Sequence, residues 1–401
     1  FYYYWKDGLF LFASELKSIT AHPEFKKEVD PNAVASFLQY GYISHPHCIY
    51  SDTYKLPPGH LLQLNLKTKG TQIRQYWNVY DYYNKSKLDI TLPEAIKETE
   101  KILSEAFEYR MVADVPVGVF LSGGYDSTCV TALLQKERTE KLKTFTIGTT
   151  DEKLNEAEFA KEIAARLGTD HTEYYCTQQE ALDIIPELPY YFDEPFADSS
   201  AIPTILVSRL ARKAVTVALS ADAGDEIFAG YNRYDYISRY GKKLQAIPKP
   251  IRKMAALAMD AVSSQNIPYL KNKRNFHSRY DKLKNLLQDP STSELLKNLN
   301  HVFNKQEINA LFSKEVRELP TAHSSTELEA NNYDPLSYMM AVDYQTYMAD
   351  DILQKVDRAT MSVSLEGREP FLDQYIIEWA AQLPSHYKYY QGEKKYILKQ
   401  I

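Results

Sequence analysis

The stretch Val115-Pro116-Val117-Gly118-Val119-Phe120-Leu121-Ser122-Gly123-Gly124-Tyr125-Asp126-Ser127 decides how the rest of the chain is read. A short apolar run ends in a serine and two glycines, and a helical pattern follows over residues 128–137. Strand, turn and helix in that order belong to a parallel sheet, where ligands lie at the carboxyl ends of the strands. Gly123 and Gly124 let backbone N–H groups approach an anion and turn inward. A helix starting at Ser127 or Thr128 aims its positive end at the same point. The Ser122 and Ser127 hydroxyls add donors. Asp126 repels a phosphate unless Mg²⁺ lies between them. A Gly-Gly turn with a Ser or Asp cap also starts a helix without any ligand. Six residues in this order and this setting favour phosphate.

The loop is not a Walker A. Gly118 and Gly123 have the GxxxxG spacing, but Tyr125 stands where the lysine for the β- and γ-phosphates belongs. A loop holding pyrophosphate fits better, with cleavage between the α- and β-phosphates to give an adenylate.

Outward from this loop, strands and helices alternate. An amphipathic helix spans 92–109, a strand lies near 144–147, and a helix over 156–167 ends at Gly168. A strand near 171–175, a helix over 202–213 and a strand over 215–219 follow. The alternation predicts an α/β fold with a parallel sheet covered by helices on both faces. Residues 1–80 read as β-rich instead. Lys6-Asp7-Gly8 fits a hairpin turn, Pro57-Pro58-Gly59 and Lys69-Gly70 precede strands, and Asp30-Pro31 opens a short helix. Residues 237–328 are polar and helical, and their basic stretch Lys271, Lys273, Arg274, Arg279, Lys282 reads as a solvated face. The first residues begin in mid-strand and the last, Tyr396-Ile397-Leu398-Lys399-Gln400-Ile401, read as helix without a stop signal. An internal piece of something longer is expected.

A chain of 401 residues with 44% hydrophobic and 25% charged side chains has the composition of a globular protein rather than a disordered one. A net charge of −6 argues against nucleic-acid binding through whole-protein charge. The three cysteines form no CxxC pair, which predicts a reducing, cytoplasmic setting without a zinc site. No run of 18 apolar residues predicts a membrane span.

Three further segments carry chemistry. Ser220-Ala221-Asp222-Ala223-Gly224-Asp225-Glu226 follows a strand and sets three carboxylates within five residues, as a hard-cation site or as acids favoured at a helix start. Asp198-Ser199-Ser200 offers hydroxyls to a substrate or caps the next helix. Between Asp350 and Asp373, the charges Lys355, Asp357, Arg358, Glu366 and Arg368 are too dense for a core helix and suggest a network holding a wall of the site. Pro370 stops the helix read there.

Residues 122–127 resemble the SGGxDS signature of the PP-loop ATP pyrophosphatases. The segments 219–231, 193–200, 350–373 and 392–399 resemble elements that narrow this to the asparagine synthetases. The resemblance implies an adenine nucleotide alpha-hydrolase-like, five-stranded parallel sheet with a helical C-terminal part over residues 81–401, truncated at its end. Residues 1–80 resemble the β-rich remnant of an N-terminal-nucleophile glutaminase domain. By that resemblance Phe120, Leu121, Ser122, Gly123, Gly124, Asp126, Ser127, Ile147, Ser220 and Ala221 bind ATP and pyrophosphate. Asp126 and Asp225 hold Mg²⁺, Asp198, Ser199 and Ser200 meet the amino-acid substrate, and Asp222 and Lys395 are catalytic.

The implied reaction amidates aspartate through a β-aspartyl adenylate, with ammonia from glutamine, and the resemblance leaves room for a homodimer. Two departures stand out. Ala221, Ala223 and Ala229 occupy places where the family usually has glycine, and no arginine follows Ser200 as it does in some asparagine synthetases. A β-lactam-synthetase-like acceptor and a degenerate nucleotide-binding homologue remain open on these grounds. A tRNA-modifying PP-loop enzyme is disfavoured by the missing cysteine pair. Cys48, in a loop after His45-Pro46-His47, reads as an ordinary thiol, so glutamine hydrolysis by this piece is not expected.

Overall fold

A computed structural model of the chain describes residues 1–149, 155–262, 276–325, 327–328 and 334–401. Its centre is a five-stranded sheet in which every neighbouring pair is parallel. In spatial order the strands are Glu366–Arg368, Val217–Leu219, Val117–Phe120, Lys143–Thr149 and Asp170–Cys176. By position along the chain this is 5-4-1-2-3, a doubly wound order. Its direction reverses between the first and fourth strands, where Val117 pairs with Val217 and Val119 with Leu219. In such sheets the crevice outside the carboxyl ends at the reversal receives the ligand. The loops 121–124 and 220–223 leave the sheet there.

The sheet strands are short and apolar because both faces are covered. Phe145, Val207, Ala211, Val215, Ala218 and Leu365 pack together on one face. Leu103, Phe107, Val119, Val130, Leu134, Val217 and Leu219 share the main core with the C-terminal helices. The helix Leu92–Met111 starts with Thr91 and Glu94 in a reciprocal capping box, and Ala157–Leu167 ends at Gly168 with φ 74°.

Three expectations need correction. The helix after the glycine turn begins at Tyr125 rather than near residue 128, so Asp126 and Ser127 lie in its first turn. The segment before Pro370, read as helix, supplies the fifth strand, Glu366–Arg368, an edge strand too short for a period-2 signal. The last residues are not a continuous helix. A two-stranded hairpin, Tyr389–Tyr390 with Glu393–Lys394, leads into a 3₁₀ turn at Ile397–Lys399. Gln391, Gly392 and Lys395 all have positive φ and reverse the chain there.

The N-terminal residues form their own small core, with Tyr2, Tyr4, Leu16, Ile19, Phe25 and Ile43 buried together. The hairpin Tyr2–Lys6 with Leu9–Ala13 turns at Asp7 and Gly8, both at positive φ. Asp30 caps the helix Pro31–Tyr40 through the Asn32 amide. Between residues 237 and 328 the described segments are helical, as expected, with Arg279 and Lys282 on the helix Phe276–Gln288. Lys271, Lys273 and Arg274 lie outside the described residues. Among the described residues, no helix is long and apolar enough to cross a membrane.

Candidate active site

The glycine turn is ordered by its own serines. The Ser122 amide donates to Ser127 Oγ at 3.1 Å, the two hydroxyls lie 3.0 Å apart, and the Gly124 amide reaches Ser122 Oγ at 3.3 Å. Gly123 has φ 79°, and a Cβ there would press within 3.1 Å of the Phe159 and Ala160 backbone region. Only glycine combines that conformation with that close approach.

From this turn the first helical residues project Asp126 toward the loop after Leu219. Lys395 reaches the same point from the C-terminal hairpin. Its Nζ lies 2.5 Å from Asp126 Oδ2 and 2.7 Å from Asp225 Oδ1. Two aspartates 99 positions apart in sequence therefore meet around one positive charge. The glycines of the second loop make room for them. A Cβ at Gly224 would stand 2.5 Å from Asp126 Cγ, and one at Gly230 would overlap Asp225 Oδ1 and Lys395 Cε.

Burial pushes the Asp126 carboxyl up to about 6, against the pull of Lys395 and with Asp225 and Asp222 adding to the rise. Burial also works against the Lys395 ammonium, but Asp126 and then Asp225 outweigh it and hold it above its ordinary value. Asp126 Oδ1 is buried and has no hydrogen-bond partner. Such an oxygen is strongly disfavoured unless something occupies it. Mg²⁺ typically takes one or two protein carboxylates and completes its shell with phosphate oxygens and water. The pair Asp126 and Asp225, with one oxygen unbonded, fits that donor set.

Ser220 Oγ donates to Asp222 Oδ2, and the Ser220 amide extends the edge strand by donating to Arg368 O at 2.9 Å. Asp222 faces a second cluster across the crevice. There Lys355 Nζ pairs with Asp198 Oδ2 at 3.1 Å and donates to Ser200 Oγ at 3.0 Å. Burial lowers the Lys355 ammonium, yet Asp222 and Asp198 more than offset it. Asp198 Oδ1 accepts from both the Ser200 amide, at 2.8 Å, and the Ser200 hydroxyl, at 2.6 Å. Asp198 and Ser200 thus form a turn just before the helix Ala201–Arg212, and this turn faces the cluster. Ser199 is exposed beside them.

Some side chains expected at the nucleotide pack into the protein as well. Leu121 is buried with Ala160 and Ala164. Its amide donates to Phe145 O at 2.9 Å, and its carbonyl accepts from Thr146 Oγ1. Phe120 and Ile147 are half-buried against the Phe145 and Val207 cluster, and Ala221 packs on the main core. The charged segment 350–373 divides in two. Lys355 turns into the crevice, whereas Arg358 donates to Ser14 O and Arg368 to Arg110 O, each at 2.8 Å.

Three side chains at this crevice went unrecognised in the sequence. Glu369, at the carboxyl end of the edge strand, is pushed up to about 8 by burial and then by Asp222. Asp351 is pushed up to about 7 by burial and then by Asp198. Arg233 stacks its guanidinium 3.8 Å over the Tyr231 ring. Only the run Tyr231-Asn232-Arg233-Tyr234, a cation set among aromatics just after the acidic loop, could have signalled the last.

Comparison with known proteins adds a family. The asparagine synthase family model matches residues 98–401, and a glutamine amidotransferase domain model matches residues 1–77. The chain is 30% identical over 393 residues to asparagine synthetase [glutamine-hydrolyzing] 1 of Bacillus subtilis (strain 168), covering 97% of this chain and 58% of that protein. It is 38% identical over 268 residues to a putative asparagine synthetase [glutamine-hydrolyzing] 2 of Methanocaldococcus jannaschii, covering 63% of this chain and 50% of that one. The chain therefore spans between half and three-fifths of these relatives' length. Among solved structures, a glutamine-dependent NAD⁺ synthetase from Acinetobacter baumannii in complex with adenosine diphosphate is 19% identical at a TM-score of 0.26, over 46% of this chain and 32% of that one. That likeness is too loose to transfer any detail.

Proposed function

Because the chain belongs to the asparagine synthase family, we propose that it adenylates a carboxylate with ATP, releasing pyrophosphate, and then converts the adenylate to an amide. One observation carries this reading. Asp126 and Asp225 arrive from the two loops of the topological switch point, meet around Lys395, and leave one buried carboxylate oxygen unbonded beside the glycine turn.

In the proposed first step an oxygen of the aspartate side-chain carboxylate attacks the α-phosphorus, and the bond to the β-phosphate bridging oxygen breaks. The turn 122–127 receives the leaving pyrophosphate through the Ser122 and Ser127 hydroxyls and the helix start at Tyr125. Mg²⁺ held by Asp126 and Asp225 would supply neutralisation of the phosphate charge. Lys395 stabilises the charge that develops on the α-phosphate oxygens. In the second step ammonia attacks the acyl carbon, the bond to the AMP oxygen breaks, and a proton must leave the nitrogen. Asp222, between Ser220 and Lys355, is the carboxylate assigned to take it.

The ammonia is proposed to come from glutamine through the part to which residues 1–77 belong. Cys48 is not its nucleophile in this reading. It is 3% exposed, and burial holds its thiol far above the ordinary range.

The test is the identity of the products. The chain, supplied with ATP, Mg²⁺, aspartate and ammonium, is expected to form AMP, pyrophosphate and asparagine in equal amounts. ADP and inorganic phosphate would contradict adenylation. Pyrophosphate release without any dependence on ammonium would favour an acceptor that closes on its own amine.

A further inference from the structure

Lys395 follows directly on a hairpin and is left there in an unfavourable backbone state. The strands Tyr389–Tyr390 and Glu393–Lys394 pair antiparallel, and Lys395 then takes φ 53°. A residue other than glycine stays in the left-handed region only where its surroundings over-determine it. A lone two-stranded hairpin is itself marginal in water. The restraint therefore has to come from outside the hairpin.

It lies on one face of the helix Asn232–Ala246. Asn232, Asp235 and Arg239 stand three and four positions apart, which sets them in a row along that helix. Asn232 Oδ1 accepts from Lys394 Nζ at 2.7 Å, on the strand that ends at Lys395. Asp235 Oδ1 accepts from the Tyr389 hydroxyl, on the opposite strand, and from Arg239 Nε at 2.5 Å. Arg239 Nε lies 3.4 Å from Tyr389 Oη, and its guanidinium covers the turn so closely that a Cβ at Gly392 would stand 2.4 Å from Nη2. The row thus meets both strands and the turn between them.

The same helix starts just past Gly230, whose missing side chain lets Asp225 Oδ1 and Lys395 Cε approach. One element therefore ends the Asp225 loop at its first turn and seats the Lys395 hairpin along its side. Each contact is partly exposed and adds little stability alone. Acting together on one short hairpin, they restrict where it sits.

We propose that Asn232, Asp235 and Arg239, with the Tyr389 hydroxyl, form a clamp that seats the hairpin and so places Lys395 Nζ between Asp126 and Asp225. The four act through the hairpin, as positioning residues. The effect of the clamp on the rate rests on the adenylation reading, whereas the seating itself does not.

The test reads seating and rate separately. Reductive methylation of the folded full chain, followed by peptide mass spectrometry, compares Lys395, whose side chain is 13% exposed, with Lys136, at 62%. In Tyr389→Phe and Asp235→Ala, methylation of Lys395 should rise about 10- to 100-fold, the range for loss of one hydrogen bond to a charged group. Lys136 should stay constant. In the same variants kcat for pyrophosphate release from ATP, Mg²⁺, aspartate and ammonium should fall at least about 10-fold, because misplacement by roughly 1 Å can cost about 100-fold. KM for ATP and for aspartate should hold. Asp235→Asn, which keeps the acceptor oxygen, should recover most of each effect. Should Asp235→Ala fail to fold, Tyr389→Phe, which removes one oxygen and leaves its ring packed on the main core, carries the comparison alone. Faster methylation of both lysines, with KM shifting alongside kcat, would show a merely structural role and overturn the inference. Unchanged methylation of Lys395 in the folded variants would overturn it as well. Faster methylation of Lys395 at an unchanged kcat would overturn the positioning role by removing the lysine from the chemistry. If the parent chain releases no pyrophosphate, adenylation falls, and the methylation ratio still decides the seating.

Discussion

Glu226 adjoins Asp225 in sequence but faces the opposite way. It is 1% exposed and accepts a hydrogen bond from the Tyr231 hydroxyl at 2.6 Å. Burial pushes its carboxyl from 4.5 up to about 8, so it stays protonated near neutrality. The folded state thus binds this proton more tightly than the unfolded chain does. That contribution is complete below pH 4.5 and is lost as pH rises toward about 8. Glu226→Gln keeps the acceptor and removes the titration. The variant should match the parent in thermal melts near pH 5 and exceed it near pH 8 by up to a few kcal/mol, at about 1.4 kcal/mol per pKa unit. An equal gain at both pH values would show that the carboxyl does not titrate in this window. In sequence, spacing set Glu226 in one acidic run with Asp222 and Asp225, because spacing cannot tell which of them a five-residue helix turns inward.

At the scale of elements, the second loop combines strain with close packing. Ala223 and Ala229 have φ values of 75° and 61°, whereas Ala221 is not among the positive-φ residues. A left-handed alanine costs about 1–2 kcal/mol. Glycine would relieve this, yet it loses about 0.5–1 kcal/mol in chain entropy and about 0.8 kcal/mol of buried methyl. Ala223→Gly and Ala229→Gly should therefore each shift stability by less than about 1 kcal/mol in denaturant titrations, despite restoring the family's usual residue. A larger gain would mean that the strain dominates.

Gly230→Ala is a different matter, because its Cβ overlaps Asp225 and Lys395. That variant should keep its circular dichroism spectrum and lose at least about 100-fold in pyrophosphate release, as misplacement by roughly 1 Å can cost that much. Activity within a few-fold of the parent would show that the loop yields freely. The strand–turn–helix around residues 115–127 was legible because its apolar run and glycines are local signals. The strand Glu366–Arg368 was not, since only its pairing with Val217–Leu219 makes it a strand. The positive φ of Lys395 was equally hidden, as no glycine marks it.

Across the whole molecule, the N-terminal part is tied to the sheet domain through buried charge. Lys55 Nζ pairs with Glu194 Oε2 at 2.8 Å, and Glu194 also accepts from Tyr2 Oη at 3.1 Å and the Ile49 amide at 2.8 Å. Nearby, Asp350 accepts from the His45 amide and ring, and Lys17 pairs with Asp193. Asp193 and Glu194 open the segment that read as a substrate loop. In the structure they serve the joint between the two parts, and only Asp198 and Ser200 face the crevice. A sequence offers no sign of this division, because the partners lie more than 130 positions away. Removing one member of a buried pair leaves the other uncompensated, at a cost of about 3–5 kcal/mol. Lys55→Met should lower the unfolding midpoint accordingly and loosen residues 1–77 first in hydrogen exchange. Unchanged protection of that part would mean that apolar packing alone holds the joint.

The order of the sheet and the charges at its reversal lead to one decisive comparison: pyrophosphate released from ATP, Mg²⁺, aspartate and ammonium by the parent chain and by Asp126→Ala, with the fold of each checked by circular dichroism. The account predicts an intact fold and loss of pyrophosphate release in the variant. Full release by folded Asp126→Ala would contradict it.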